Sequence, residues 1–165
     1  MNSTEKLILF IIVSFPDRKK LTLSRIVKTL YLAEWKNCLV FKNRLTQEDW
    51  FFNYDGPYFN QFENIIRESN CLQKMIIESE TGDIQEYITS TNVELKNSTN
   101  LVESEKKILL FAIENTFNLN WREFNRLVYS TYPLMKMTKF SKLNLLSLAK
   151  EYINMKNENP TDNTV

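Results

Sequence analysis

The chain contains only two glycines, Gly56 and Gly82, in 165 residues, where average usage would supply about twelve. Glycine is the residue that enters positive φ freely. A chain this poor in it must therefore turn at few tight, glycine-dependent points and run mainly through elements that need none. The scarcity also removes two phosphate-binding devices. Neither a G-x-x-x-x-G-K-[ST] loop nor a G-x-G-x-x-G turn can be built from two isolated glycines.

Histidine is absent altogether. Ser-His-Asp and Cys-His nucleophilic catalysis are excluded, and so are the H-E-x-x-H zinc site and the histidine-containing deaminase sites. Cys38 and Cys71 are too few for a four-thiolate zinc site and read as reduced thiols. No cofactor or metal is expected. Lys plus Arg number 21 against 20 Asp plus Glu, a net charge of +1. That balance lacks the basic excess of a phosphate-neutralising partner of nucleic acid.

Apolar periodicity predicts a mainly helical, α+β domain over residues 1–156 and a polar, flexible tail over 157–165. Asn2 and Glu5 mark a helix start, and the apolar run 7–13 has no polar face, so that helix should be buried nearly all round. The run is too short to span a bilayer and has no signal-peptide flanks, which makes cytoplasmic the expected location. Thr22 caps a second helix reaching about Lys36, with Leu23, Ile26, Val27 and Leu30 at helical spacing. Tyr54-Asp55-Gly56-Pro57 is a turn signal, and residues 58–69 return to helical spacing. Two β-prone runs, 73–78 and 84–89, flank Gly82 as a hairpin. Residues 91–100 read as a loop. Ser104 and Asn120 cap further helices, Pro133 closes the second of these, and residues 143–153 form a last helical stretch. Helices with one small hairpin give a winged-helix-like outline.

Two catalytic or nucleic-acid readings stay open on residues alone. Pro16-Asp17 with Glu34-Trp35-Lys36 spells the acid and acid-x-lysine string of metal-dependent nucleases. Glu34 and Lys36 fall within a helical pattern, however, where i and i+2 diverge instead of sharing a strand face. A winged-helix DNA binder would use residues 22–36 for recognition, with Arg25, Lys28 and Lys36 as its cations. The dense aromatics from Trp35 to Phe62 suggest either core or a partner surface.

The string Ile26-Val27-Lys28-Thr29-Leu30-Tyr31-Leu32-Ala33-Glu34-Trp35 resembles the K-L-L-Y-L-A-D helix of the Panacea domain, the SocA-like antitoxin family. Trp50-Phe51-Phe52-Asn53-Tyr54-Asp55-Gly56-Pro57-Tyr58 is similar to that family's aromatic-x-x-x-x-Y-G-P-V segment. Asp55 is inserted before Gly56, and Tyr58 replaces the usual small apolar residue. The resemblance implies a non-enzymatic protein that binds and restrains a partner encoded beside it, usually a toxin, in a hetero-oligomer. Accessory subunits of multi-component anti-phage assemblies are the alternative role, with nucleic acid touched only indirectly. The partner-binding residues it suggests are Tyr31, Trp35, Tyr54, Gly56, Pro57 and Tyr58.

Overall fold

A computed structural model of the chain describes residues 2–90 and 100–159. Asn2 opens helix α1 (Ser3–Ser14), accepting from the Glu5 amide at 2.7 Å, while the Asn2 amide donates to Glu5 at 3.1 Å. This reciprocal cap satisfies amides that a helix start leaves without partners. Residues 7–12 are all buried, as a helix with no polar face requires. Asp17 caps a short 3-10 turn, Arg18–Lys20, by accepting from the Lys19 amide at 3.1 Å.

Thr22 caps α2 (Leu23–Phe41) by accepting from the Arg25 amide at 3.3 Å. The helix runs past Lys36 and stops where Lys42 takes a left-handed φ of 58°. It packs against α1 and also against α4 (Glu103–Glu114), α7 (Leu145–Glu158) and strand β2 (Gly56–Phe59), so it is the central element of the fold.

The aromatic run before Gly56 is a strand that periodicity does not reveal. Strand β1 (Trp50–Asn53) pairs antiparallel with β2 across a two-residue turn, Tyr54 and Asp55, with Asn53 opposite Gly56 and Trp50 opposite Phe59. Helix α3 (Phe62–Glu68) is accordingly shorter than its spacing predicts. Strand β5 (Lys142–Leu143) joins the other side of β1, giving the order β2-β1-β5 and leaving β2 at an edge. Proline lacks the N–H that a central strand would need, and the edge position tolerates Pro57. The hairpin at Gly82 forms as expected from β3 (Leu72–Glu78) and β4 (Ile84–Ser90), with Glu78 opposite Ile84 and Gly82 at φ +83°.

Helix α4 begins one residue before Ser104, with the Val102 amide donating to Glu105 at 3.0 Å. Asn120 caps α5 (Trp121–Tyr129) through a complete reciprocal pair with Glu123. Pro133 does not close α5. It sits in the first turn of α6 (Tyr132–Lys136), where a missing N–H leaves no hydrogen bond broken. Leu143 belongs to β5, and α7 runs from Leu145 to Glu158, into the stretch expected to be tail. Residues 160–165 of that tail lie outside the described residues, as do residues 91–99 of the expected loop.

Among the described residues the architecture is mainly helical with two small antiparallel sheets. Trp50, Tyr31, Phe59, Phe62 and Phe124 are its largest fully buried side chains. Among the described residues no helix is long and apolar enough to cross a membrane.

Candidate functional site

A groove of about 950 Å³ opens beside the start of α2. Thr22 and residues 23–25, 27 and 28 line it from the cap and first turns of α2, residues 53–58 from the end of β1, the β1–β2 turn and β2, residues 84–87 from β4, and Asn120 and Trp121 from the start of α5, with Lys19 and Lys20 before α2. Its walls are thus element ends, and the residues that terminate those elements fix them: the caps Thr22 and Asn120, and Gly56 at φ +113°.

Lys28 is, with Arg25, one of two buried cations lining this groove. It is 4% exposed, its Nζ donates to Asn125 Oδ1 at 2.8 Å, and it stands 4.6 Å from the centre of the Trp121 ring. Burial brings its pKa down to about 8, and attraction to Asp55 opposes that shift. Gly56 makes the passage of this side chain possible. A Cβ there would lie 3.2 Å from Lys28 Cε and 3.4 Å from the Tyr129 hydroxyl.

Arg25, 2% exposed, serves the scaffold. Its Nη1 and Nη2 donate to the carbonyls of Thr116 and Leu119 at 3.2 and 3.0 Å, and its guanidinium lies 4.4 Å from the Phe124 ring centre. These bonds tie α2 to the connection between α4 and α5. The outward aromatics are Tyr54, 69% exposed, and Trp121, 46% exposed. Lys139 Nζ donates to the Tyr54 carbonyl at 3.1 Å and stands 4.9 Å from its ring, which fixes the turn in place.

A family model, antitoxin SocA-like, Panacea domain, matches residues 26–133. The chain belongs to this Panacea family. No curated protein and no solved structure matches it. The family match takes in Lys28, the turn at Gly56, both hairpins and Trp121.

Four of the six residues expected to meet a partner come together on the groove of this Panacea chain: Tyr54, Gly56, Pro57 and Tyr58. Of these only Tyr54 is fully outward. Tyr58 is half-buried, stacked on Phe59 at 6.3 Å, and Gly56 and Pro57 are buried parts of β2. Tyr31 and Trp35 stand elsewhere, in the core. The Tyr31 hydroxyl shares a hydrogen bond with Thr131 at 2.7 Å, its ring meets Trp50 edge-on at 5.7 Å, and burial pushes its phenol well above the ordinary range. Trp35 packs on Tyr152 with ring centres 6.0 Å apart. In the folded chain these two hold α2 against its neighbours. Lys28 and Trp121 are groove residues that sequence reasoning did not assign to partner binding. The signal for Trp121 was its place directly after the Asn120 cap, at the open end of a helix.

The nuclease string does not converge. Asp17 caps the turn before α2, whereas Glu34 lies about 18 Å further along that helix, at about 1.5 Å per residue from Thr22. Glu34 is fully buried, accepting from the Thr46 amide at 2.6 Å and paired with Arg44 Nε at 3.7 Å. Lys36 stands over the Phe111 ring at 4.6 Å. Among the described residues no three Cys, Asp or Glu side chains gather as a metal site. Burial, reinforced by Glu34, pushes the Cys38 thiol up to about 12, far from a nucleophilic thiolate. Of the three cations in the DNA-recognition reading of α2, Arg25 and Lys28 are buried and engaged inside the protein, and Lys36 is half-buried.

Proposed function

We propose that this Panacea chain is a non-enzymatic, antitoxin-like binding module that holds and restrains a protein encoded beside it, with the groove at Gly56 as its contact face. The observation that carries this is the pairing of exposed Tyr54 and Trp121 on one concave site, most of whose lining belongs to the segment the family model matches. Rigid aromatic rings at the mouth of a groove are the groups that supply most interface energy per residue. Turn and helix-cap geometry holds both rings in place before binding, which lowers the ordering cost of association.

Co-expression of the native neighbouring genes, purified through a tag on this chain, tests the reading. A stoichiometric complex burying on the order of 1,600 Å² is expected. Deleting the gene for this chain alone should arrest growth, because the partner is then released. A chain that stays monomeric in the presence of its neighbours' products contradicts the proposal. Healthy growth with lost phage resistance indicates instead a subunit that supports an assembly.

A further inference from the structure

We infer that the groove receives an acidic segment of the partner protein, one carboxylate settling against the Lys28 ammonium and neighbouring acids against Lys19 and Lys20. This deepens the binding-module reading and rests on it. The whole chain is nearly neutral at +1, yet the groove lining carries Lys19, Lys20, Arg25 and Lys28 against only Asp55 and Glu86. Glu86 is paired from the adjacent strand by Lys74 at 2.9 Å, a cation it shares with Glu63 at 3.4 Å. Asp55 makes no ion pair among the described residues. Positive charge therefore outnumbers negative charge in the lining of this groove. The start of α2 adds to it, since that 19-residue helix has no acid in its first turn to offset its partial positive end.

Lys28 selects the kind of anion. An ammonium has three protons to donate, and among the described residues it makes one hydrogen bond, to Asn125, beside its contact with the Trp121 face. Asp55 attracts this ammonium without forming an ion pair with it among the described residues, and a buried charge lacking a contact counter-ion is unfavourable until one is supplied. A carboxylate on a side chain is slim, carries one charge and can be delivered past the Trp121 ring. A nucleic-acid backbone gains its affinity from many exposed cations along a track, and here Lys19 and Lys20 are the exposed pair while Arg25 and Lys28 are buried. The apolar lining of Leu23, Val27 and Pro57 suits the rest of a peptide better than a string of phosphates.

A displayed library of random peptides, selected on the immobilised full-length chain, tests this. Retained peptides are resynthesised with a fluorescent label and titrated by anisotropy. They should be enriched in Asp and Glu, lose affinity when those acids become Asn and Gln, and bind Lys28→Met about tenfold more weakly. Lys19→Ser with Lys20→Ser, a surface change that leaves the core untouched, should weaken them about fivefold and keeps the test valid should Lys28→Met fail to fold. Lys107→Ser on α4 should change nothing. An absence of retained peptides, binders without acids, or binding indifferent to all three lysines overturns the inference. Displacement of the peptides by an oligothymidylate, following the same lysines, overturns it in favour of nucleic acid. Should the native partner co-purify unaffected by these lysine changes, the inference fails while the binding-module reading stands.

Discussion

Gly56 and Lys28 are packed so closely that a methyl group on the glycine would sit 3.2 Å from Lys28 Cε, and the glycine holds φ at +113°. One residue thus meets two demands: a backbone conformation that side chains disfavour, and room for a buried lysine to pass beneath the β1–β2 turn. Gly82 meets only the first. It sits at φ +83°, and a methyl group there would have nothing within 4 Å.

Gly56→Ala and Gly82→Ala therefore separate strain from packing. Gly82→Ala should cost about 1 kcal/mol from backbone conformation alone. Gly56→Ala should cost about 2–4 kcal/mol, because Lys28 and Tyr129 must also give way. Urea unfolding of the two variants checks the order.

Lys28 gives the pH dependence a sign. Its pKa in the fold, about 8, lies below its ordinary 10.5. The folded state thus binds this proton less tightly than the unfolded chain does. The penalty for burying the charge is complete below about pH 8 and fades as pH rises towards 10.5. Relative to Lys28→Met, which has no such proton, the wild type should gain stability between about pH 8 and about pH 10.5. Unfolding free energies of both proteins across that window test it.

Glu34 has the opposite sign. Burial raises its pKa, against lowering by hydrogen bonds from Thr46 and attraction to Arg44. Its contribution is greatest at low pH and falls as pH rises through its folded pKa. Glu34→Gln keeps an acceptor for the Thr46 amide and removes the buried charge, so it should stay within about 1 kcal/mol of wild type. Glu34→Ala should lose about 2–3 kcal/mol, since it leaves that amide buried without a partner. Thermal unfolding of the pair near neutral pH distinguishes them.

Much of this architecture is legible in the sequence because short-range chemistry sets it. Asn2 with Glu5, Thr22 and Asn120 mark three helix starts correctly, and Gly82 between β-prone runs marks a hairpin. The β1–β2 hairpin escaped because consecutive aromatics hide the period of two, and Pro57 reads as a turn unless its strand is known to be an edge. The site was half legible. The turn at Tyr54 and Gly56 follows from local residues. The burial of Tyr31, Trp35, Arg25 and Lys28 does not, because it depends on α4, α5 and α7 covering faces of α2 that helical spacing alone leaves open.

Tyr54 is largely outward and Trp121 nearly half exposed, so the fold should tolerate their loss better than the complex does. The deciding measurement is the dissociation constant of the chain with its neighbour-encoded partner, by calorimetry, for wild type and for the Tyr54→Ala Trp121→Ala double variant. Affinity should fall by about thirtyfold or more, the scale of a dominant interface residue, with the unfolding midpoint of the isolated chain little changed. Wild-type affinity in the double variant would contradict the placement of the partner on this groove.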